Sequence, residues 1–160
     1  MHAMDDATAA ALGTLVRKAR VAALGTLRDG APNVSMVAYL PEADFSALWL
    51  RLSRLARHTQ DLRRDARASL AILQSDDGRA DPQTLARVTL CGEAGELPQE
   101  DARLARLKTG WLARFPESAV TFELADFSFW SLAVRDARFV AGLGRTHNLS
   151  AADLGRAAKA

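Results

Sequence analysis

Cysteine is nearly absent from this chain, since Cys91 is the single one among its 160 residues. No intramolecular disulfide can form, so a reducing, cytoplasmic environment is expected. Cys91 lies in a stretch typical of a strand, which favours a packed side chain over a nucleophile. Histidine is also scarce, and its three residues are too scattered to have the spacing of metal ligands. We therefore expect no metal site.

Long apolar runs are missing as well. No segment reaches the roughly 20 residues that a membrane-spanning helix needs. The apolar segment Ala7–Val16 follows Asp5 and Asp6 and precedes basic residues that begin at Arg17. That order is the reverse of a secretion signal, but it complements a helix macrodipole. The pattern predicts a helix over about residues 5–20 and no membrane partner.

Charge of one sign is not in excess either. The chain has 21 basic and 19 acidic residues, and no lysine-rich tract is present. Nucleic acid is therefore not an expected partner.

The overall composition is that of an ordinary globular protein, with 49% apolar and 25% charged residues. Residues 1–160 are expected to form a single domain. No P-loop, Rossmann or serine–histidine–acid motif is found, so catalytic residues remain unassigned.

Short strands are what the chain does contain. Alternating or apolar stretches between turn residues predict strands at 21–27, 32–40, 46–53, 68–74, 85–94, 127–134 and 138–141. Asp29 and Gly30 predict a hairpin turn between the first two. A helix is predicted from Pro98 to Phe115, and Ser150 opens a C-terminal helix with a capping box. Together these features predict a mainly β fold, an antiparallel barrel with peripheral helices.

The segment Ser53–Leu62 is the strongest candidate for a binding site. It joins a strand to a short helix and carries Ser53, Arg54, His58 and Thr59 near the start of that helix. Free N–H groups at a helix start and arginine side chains both favour phosphate, so a phosphorylated cofactor is expected there.

Simpler interpretations of the same residues stay open. Ser53 and Thr59 are equally typical of helix caps, His58 of a hydrogen-bonded structural histidine, and Arg54 of a solvated surface residue. Arg51 shares a strand face with Ser53 and is a secondary candidate for the phosphate cluster.

Several segments in a consistent order carry a family resemblance. They are Leu24–Leu27, Gly30–Ser35, Ser53–Leu62, Asp65–Leu70, Arg87–Gly92 and Gly142–Arg145. On these segments the chain resembles the pyridoxamine 5'-phosphate oxidase-like family, and within it the branch with HugZ-type haem-degrading proteins. The resemblance implies a split β-barrel that forms a homodimer and binds FMN in a groove between the subunits.

The resemblance also implies roles for individual residues. The family's phosphate-binding segment maps onto Ser53, Arg54, His58 and Thr59, and the strand along the isoalloxazine ring onto Ser35, Met36 and Val37. In the C-terminal tail of about residues 145–160, Arg145 and His147 are candidates for substrate or haem contact.

Two departures from the family pattern concern the candidate site itself. Ser35 stands where the pyridoxamine phosphate oxidases proper carry an arginine, which argues against pyridoxamine phosphate as substrate. Asp61 stands where the branch has asparagine, and an acid near a phosphate is expected to pair with Arg57 or Arg64.

Three functions follow from the sequence. The first is an FMN-dependent oxidoreductase with an unknown small-molecule substrate. The second is a haem-binding or haem-degrading protein with His147 as axial ligand. The third is a non-catalytic flavin-binding module.

Overall fold

Strands dominate residues 4–160, the part of the chain that the computed structural model describes; His2 lies outside this range. Eight strands are present there: β1 (Val21–Arg28), β2 (Ala31–Ala38), β3 (Leu40–Pro41), β4 (Ala47–Ser53), β5 (Arg67–Leu73), β6 (Arg87–Glu96), β7 (Phe127–Val140) and β8 (Thr146–Leu149). The helices are α1 (Asp6–Lys18), α2 (Arg57–Arg64), α3 (Leu104–Arg114) and α4 (Ala151–Lys159). Within the described residues, no helix has both the length and the apolar character needed to cross a bilayer.

All eight strands belong to one antiparallel sheet. Seven of them follow the order β2-β1-β5-β6-β7-β4-β3, and β8 lies off this path and pairs with β7. The long strand β7 pairs with β6 along one edge and with β4 and β8 along the other. The sheet curls into a split barrel with the helices outside, which confirms the predicted fold class. Within residues 4–160, strand β2 lies at an edge of the sheet and pairs with β1 alone.

Local sequence explains the hairpin between β1 and β2. Asp29 and Gly30 both have positive φ, at 51° and 80°, as the two central residues of a tight hairpin turn require. Farther along the sheet, the register between β6 and β7 shifts at Cys91 and Gly92. A Cβ at Gly92 would lie 1.8 Å from the carbonyl oxygen of Ala133, so this irregularity requires glycine.

Two apolar clusters lie on opposite faces of the sheet. The larger one fills the barrel and includes one face of α1 and of α4. The smaller one lies on the outer face of β4 and β7 beneath α3, and its buried members are Trp49, Leu97, Leu107, Trp111, Phe115 and Phe129. Trp130 is buried in the larger cluster.

Two predicted element boundaries are wrong. The helix expected from Pro98 begins at Leu104, because the Asp101 carboxylate accepts from the backbone N–H and guanidinium of Arg103 and stabilises a turn there. The two strands expected at 127–134 and 138–141 form one strand, Phe127–Val140. Its pairing with β6 continues past one unpaired residue, Arg135, because Val134 pairs with Gly92 and Asp136 with Cys91.

Candidate functional site

Strand β2 and the start of α2 meet at a contact between Ser35 and His58. The Ser35 hydroxyl lies 3.0 Å from Nδ1 of His58, the second residue of the helix. Burial lowers the pKa of His58, and the nearby Asp61 carboxylate opposes this only in part. The imidazole is therefore neutral at pH 7, with one donor and one acceptor nitrogen. Two segments that were predicted to form one site, β2 and the start of α2, are thus in direct contact.

The N-terminus of α2 has no side-chain cap. Its N-cap residue is Ala56, whereas α1 and α4 are capped by Asp5 and Ser150. The backbone N–H groups of residues 57–59 have no acceptor among the described residues. Three unpaired donors at the positive end of a helix dipole form an arrangement that suits an anion.

A buried hydroxyl lies at the same helix end. Thr59 is fully buried, and its Oγ1 has no hydrogen-bond partner among the described residues. Buried polar atoms nearly always have a partner, and an orphaned one indicates a missing water or ligand. The side chains of Arg54 and Arg57 are exposed next to this helix start. These residues fit a phosphate group in charge and in hydrogen-bonding capacity.

An ion pair anchors α2 to the barrel. The buried Asp61 carboxylate accepts from Nε of Arg28 at 2.7 Å and from the Thr26 hydroxyl at 3.0 Å. Burial alone would raise the pKa of Asp61, but these hydrogen bonds outweigh it, and the net shift is downward. The expected pairing with Arg57 or Arg64 is wrong, because Asp61 faces β1 and Arg28 extends from that strand.

Ser53 and Arg54 are held by the segment before β7. The Ser53 hydroxyl donates to the Asp126 carboxylate at 2.5 Å and accepts from the N–H of Leu55. The backbone N–H of Arg54 donates to the carbonyl of Asp126 at 2.7 Å. A carboxylate on Ser53 would repel a phosphate there, so the best place for an anion is beside His58 and Thr59. Sequence reasoning missed Asp126 because it lies 73 residues from Ser53.

Arg51 does not join this group. It shares the outer face of β4 with Ser53, as predicted, but its guanidinium stacks on the rings of Phe122 and Phe129. It also donates to the hydroxyl and carbonyl of Thr121. The prediction that Arg51 belongs to the phosphate cluster is therefore wrong. The long side chain of Arg51 carries its guanidinium group away from the strand and towards α3.

The residues of β2 that were expected along a flavin ring alternate between two faces. Val37 is buried in the barrel core, and Ser35 lies on the same inner side. Met36 points outward and is 70% exposed, like Val34 two residues earlier. A ring lying on the outer face would therefore touch Met36 and the free backbone edge of β2, but not the Val37 side chain.

Arg145 and His147 lie at a different part of the molecule. Arg145 donates to the Thr8 hydroxyl of α1 at 3.1 Å. His147 is half-buried on β8 and is paired with Phe139 in the ladder. Neither residue hydrogen-bonds to β2, β4 or α2 within the described chain. No group of three or more potential metal ligands occurs in residues 4–160.

These features define a split β-barrel protein. The chain belongs to the family described as CREG, beta-barrel, whose profile matches residues 3–154. A crystal structure from a pyridoxinephosphate oxidase family protein of Clostridium acetobutylicum has the same fold, with a TM-score of 0.70, 15% identity, and coverage of 94% of this chain and 99% of the other. The predicted family resemblance is confirmed.

Two relatives are more similar in sequence. A heme binding protein from Mycobacterium smegmatis is 30% identical, with a TM-score of 0.82, and the match covers 97% of this chain and 62% of that one. Non-canonical heme oxygenase HOZ of Arabidopsis thaliana, a chloroplastic protein, is 34% identical over 115 residues, or 72% of this chain. The match spans 33% of the length of the plant protein.

Proposed function

We propose that this protein binds FMN with the phosphate at the N-terminus of α2. The observation that carries the proposal is the 3.0 Å contact between Ser35 and His58, which joins the phosphate-binding helix end to the ring-binding strand. The unpaired N–H groups of residues 57–59 and the orphaned Thr59 hydroxyl supply donors. Arg54 supplies charge from the rim of the site.

The flavin ring lies along the outer face of β2 in this proposal. The free edge of β2 offers backbone donors and acceptors to the polar edge of the ring, and Met36 offers an apolar contact. Bound FMN would supply electron transfer, and the protein would orient and shield it. We assign the protein as an oxidoreductase acting on a small molecule, in a cytoplasmic location that suits its lone thiol.

A second copy of the chain would close the flavin groove. Small, half-buried side chains meet on the outer face of β1 and β5: Ala23, Gly25, Ser69 and Ala71. Val34 and Met36, each 70% exposed, border this surface on β2. Exposed apolar side chains grouped in this way are typical of a subunit interface. We therefore propose a homodimer.

Titration of purified, FMN-stripped protein with FMN tests the proposal. We expect His58→Ala and Arg54→Ala each to weaken binding by about 1.5–3 kcal/mol, the range of a charge-assisted hydrogen bond. Arg64→Ala is the matched control, because Arg64 is exposed at the opposite end of α2 and should leave the affinity unchanged. Unchanged affinity in both test variants would remove the site assignment.

Haem binding is the second candidate function. It is favoured by the name of the mycobacterial relative, a heme binding protein, and by that of the plant relative, a heme oxygenase. His147 is the candidate axial ligand, since it is a half-buried histidine on β8. Haem added to the protein should then give a sharp Soret band that His147→Ala loses. A Soret band of equal position and intensity in His147→Ala would rule out this ligand.

A further inference from the structure

A cavity lies on the outer face of β4 and β7, and its lining includes no residue of β2 or α2. Its volume is about 310 Å³, within the range of small-molecule sites. It lies beside α3 and the 3-10 helix Pro116–Phe122. Its apolar wall includes Leu97, Leu104, Phe122, Phe127 and Phe129.

Arg51 lines this cavity with an unneutralised charge. Its guanidinium carbon lies 3.9 Å from the centre of the Phe122 ring and 4.9 Å from that of Phe129. Thr121 accepts two of its N–H groups, and the other three have no acceptor among the described residues. No described carboxylate lies within 4.0 Å of it, and burial lowers the pKa of Arg51. A half-buried cation without a counter-ion favours an anion from outside the chain.

Lys108 adds a second cation to the same cavity. Its Nζ lies 5.2 Å from the centre of the Phe122 ring, and it forms no ion pair within the described residues. Glu123 also lines the cavity, so the three groups together carry one net positive charge. This charge suits one monoanion, whereas a phosphate dianion would remain undercompensated.

We propose that this cavity binds a small monocarboxylate with an apolar body. The carboxylate would take the free N–H groups of Arg51 in a forked pair, and the ammonium group of Lys108 would add to the attraction. The apolar body would pack on the phenylalanine and leucine wall. This proposal does not rest on FMN binding at α2, because its argument uses neither β2 nor α2.

Phenylacetate is a suitable probe, and ¹⁵N-labelled protein allows its site to be located by NMR. We expect saturable shifts at the backbone of Phe129 and at the indole N–H of Trp111, whose ring meets that of Phe129 edge-on with centroids 5.8 Å apart. Phenylacetamide and inorganic phosphate should bind at least about tenfold more weakly, because the first lacks charge and the second lacks an apolar body. Equal binding of phenylacetamide, or shifts confined to other parts of the molecule, would overturn the proposal.

Substitutions of the two cations complete the test. Lys108→Gln should weaken phenylacetate binding about threefold to fivefold, because Lys108 is exposed, and Arg51→Gln about tenfold or more. Lys159→Gln, an equal change of charge on α4, should have no effect. If Arg51→Gln does not fold, Lys108→Gln by itself still tests the site. The site would be refuted if each of these variants that folds binds phenylacetate as tightly as the wild type does.

Discussion

Replacing Arg28 by methionine should leave a buried, unpaired carboxylate at Asp61. Asp61 is 1% exposed and has two protein donors, the guanidinium of Arg28 and the hydroxyl of Thr26. Removing one partner of a buried ion pair costs about 3–5 kcal/mol. The Arg28 side chain is 28% exposed, so water replaces part of the lost contact. We therefore expect a loss of about 3 kcal/mol in the free energy of unfolding at pH 7.

The loss should depend on pH in a defined direction. In the wild type the pKa of Asp61 lies below 3.8, so this carboxylate stabilises the fold above pH 3.8, and its contribution is lost as the pH falls through the folded-state pKa. In Arg28→Met burial dominates, and the pKa of Asp61 should rise above 3.8. The ionised carboxylate then destabilises the fold until protonation removes the penalty. The difference between the two proteins should therefore shrink as the pH falls from 7 towards 4.

Urea denaturation followed by far-UV circular dichroism at several pH values measures this difference. The double variant Arg28→Met/Asp61→Asn lacks the carboxylate. It should therefore be more stable to urea than Arg28→Met at pH 7, and the two variants should be equally stable in acid. Arg64→Met controls for the loss of one exposed positive charge. A stability loss in Arg28→Met that is the same at pH 4 and pH 7 would refute a role for the carboxylate.

Three further predictions concern the sheet, the histidine and the C-terminal helix. Gly92→Ala places a Cβ 1.8 Å from the Ala133 carbonyl oxygen and should cost about 3 kcal/mol in thermal denaturation, whereas Gly95→Ala, with open space around it, should be nearly neutral. The pKa of His58 should lie below 6.5 in FMN-free protein and rise when FMN binds, as measured by NMR titration of its ring. Ser150→Ala removes the α4 capping box and should cost about 1 kcal/mol in urea denaturation.

Each of these has a result that contradicts it. Equal melting temperatures for the two glycine variants would show that β6 and β7 can separate at the irregularity without cost. A His58 pKa that FMN leaves unchanged would argue against a phosphate contact. Full stability of Ser150→Ala would mean that α4 depends on its packing against α1 and not on its cap.

Much of the fold was predictable because its signals are local. The Asp29–Gly30 turn, the acid-to-base order along α1 and the Ser150 capping box each depend on residues within about one helical turn or one hairpin. Strand alternation also predicted which face of β4 carries Arg51 and Ser53. One prediction failed where a turn signal competes with a helix signal. Asp101 stabilises a turn, and α3 therefore begins after it, at Leu104.

The segments that form the candidate site were predictable, because Gly30–Ser35 and Ser53–Leu62 occur in the order typical of the family. The partners of its side chains were not, because they come from distant parts of the chain. Asp61 pairs with Arg28 at a separation of 33 residues, and Ser53 with Asp126 at a separation of 73. Several arginines could have reached Asp61 by local spacing alone.

The sequence by itself determined the turns, the helix caps, the alternation of the strands and the family of this protein. The tertiary structure alone decided which charges are paired, which hydroxyl is orphaned and which arginine lines a cavity. The physical reason is distance: a turn or a cap is stabilised by neighbours along the chain. An ion pair forms only when the curled sheet brings remote strands within about 3 Å of each other's polar groups.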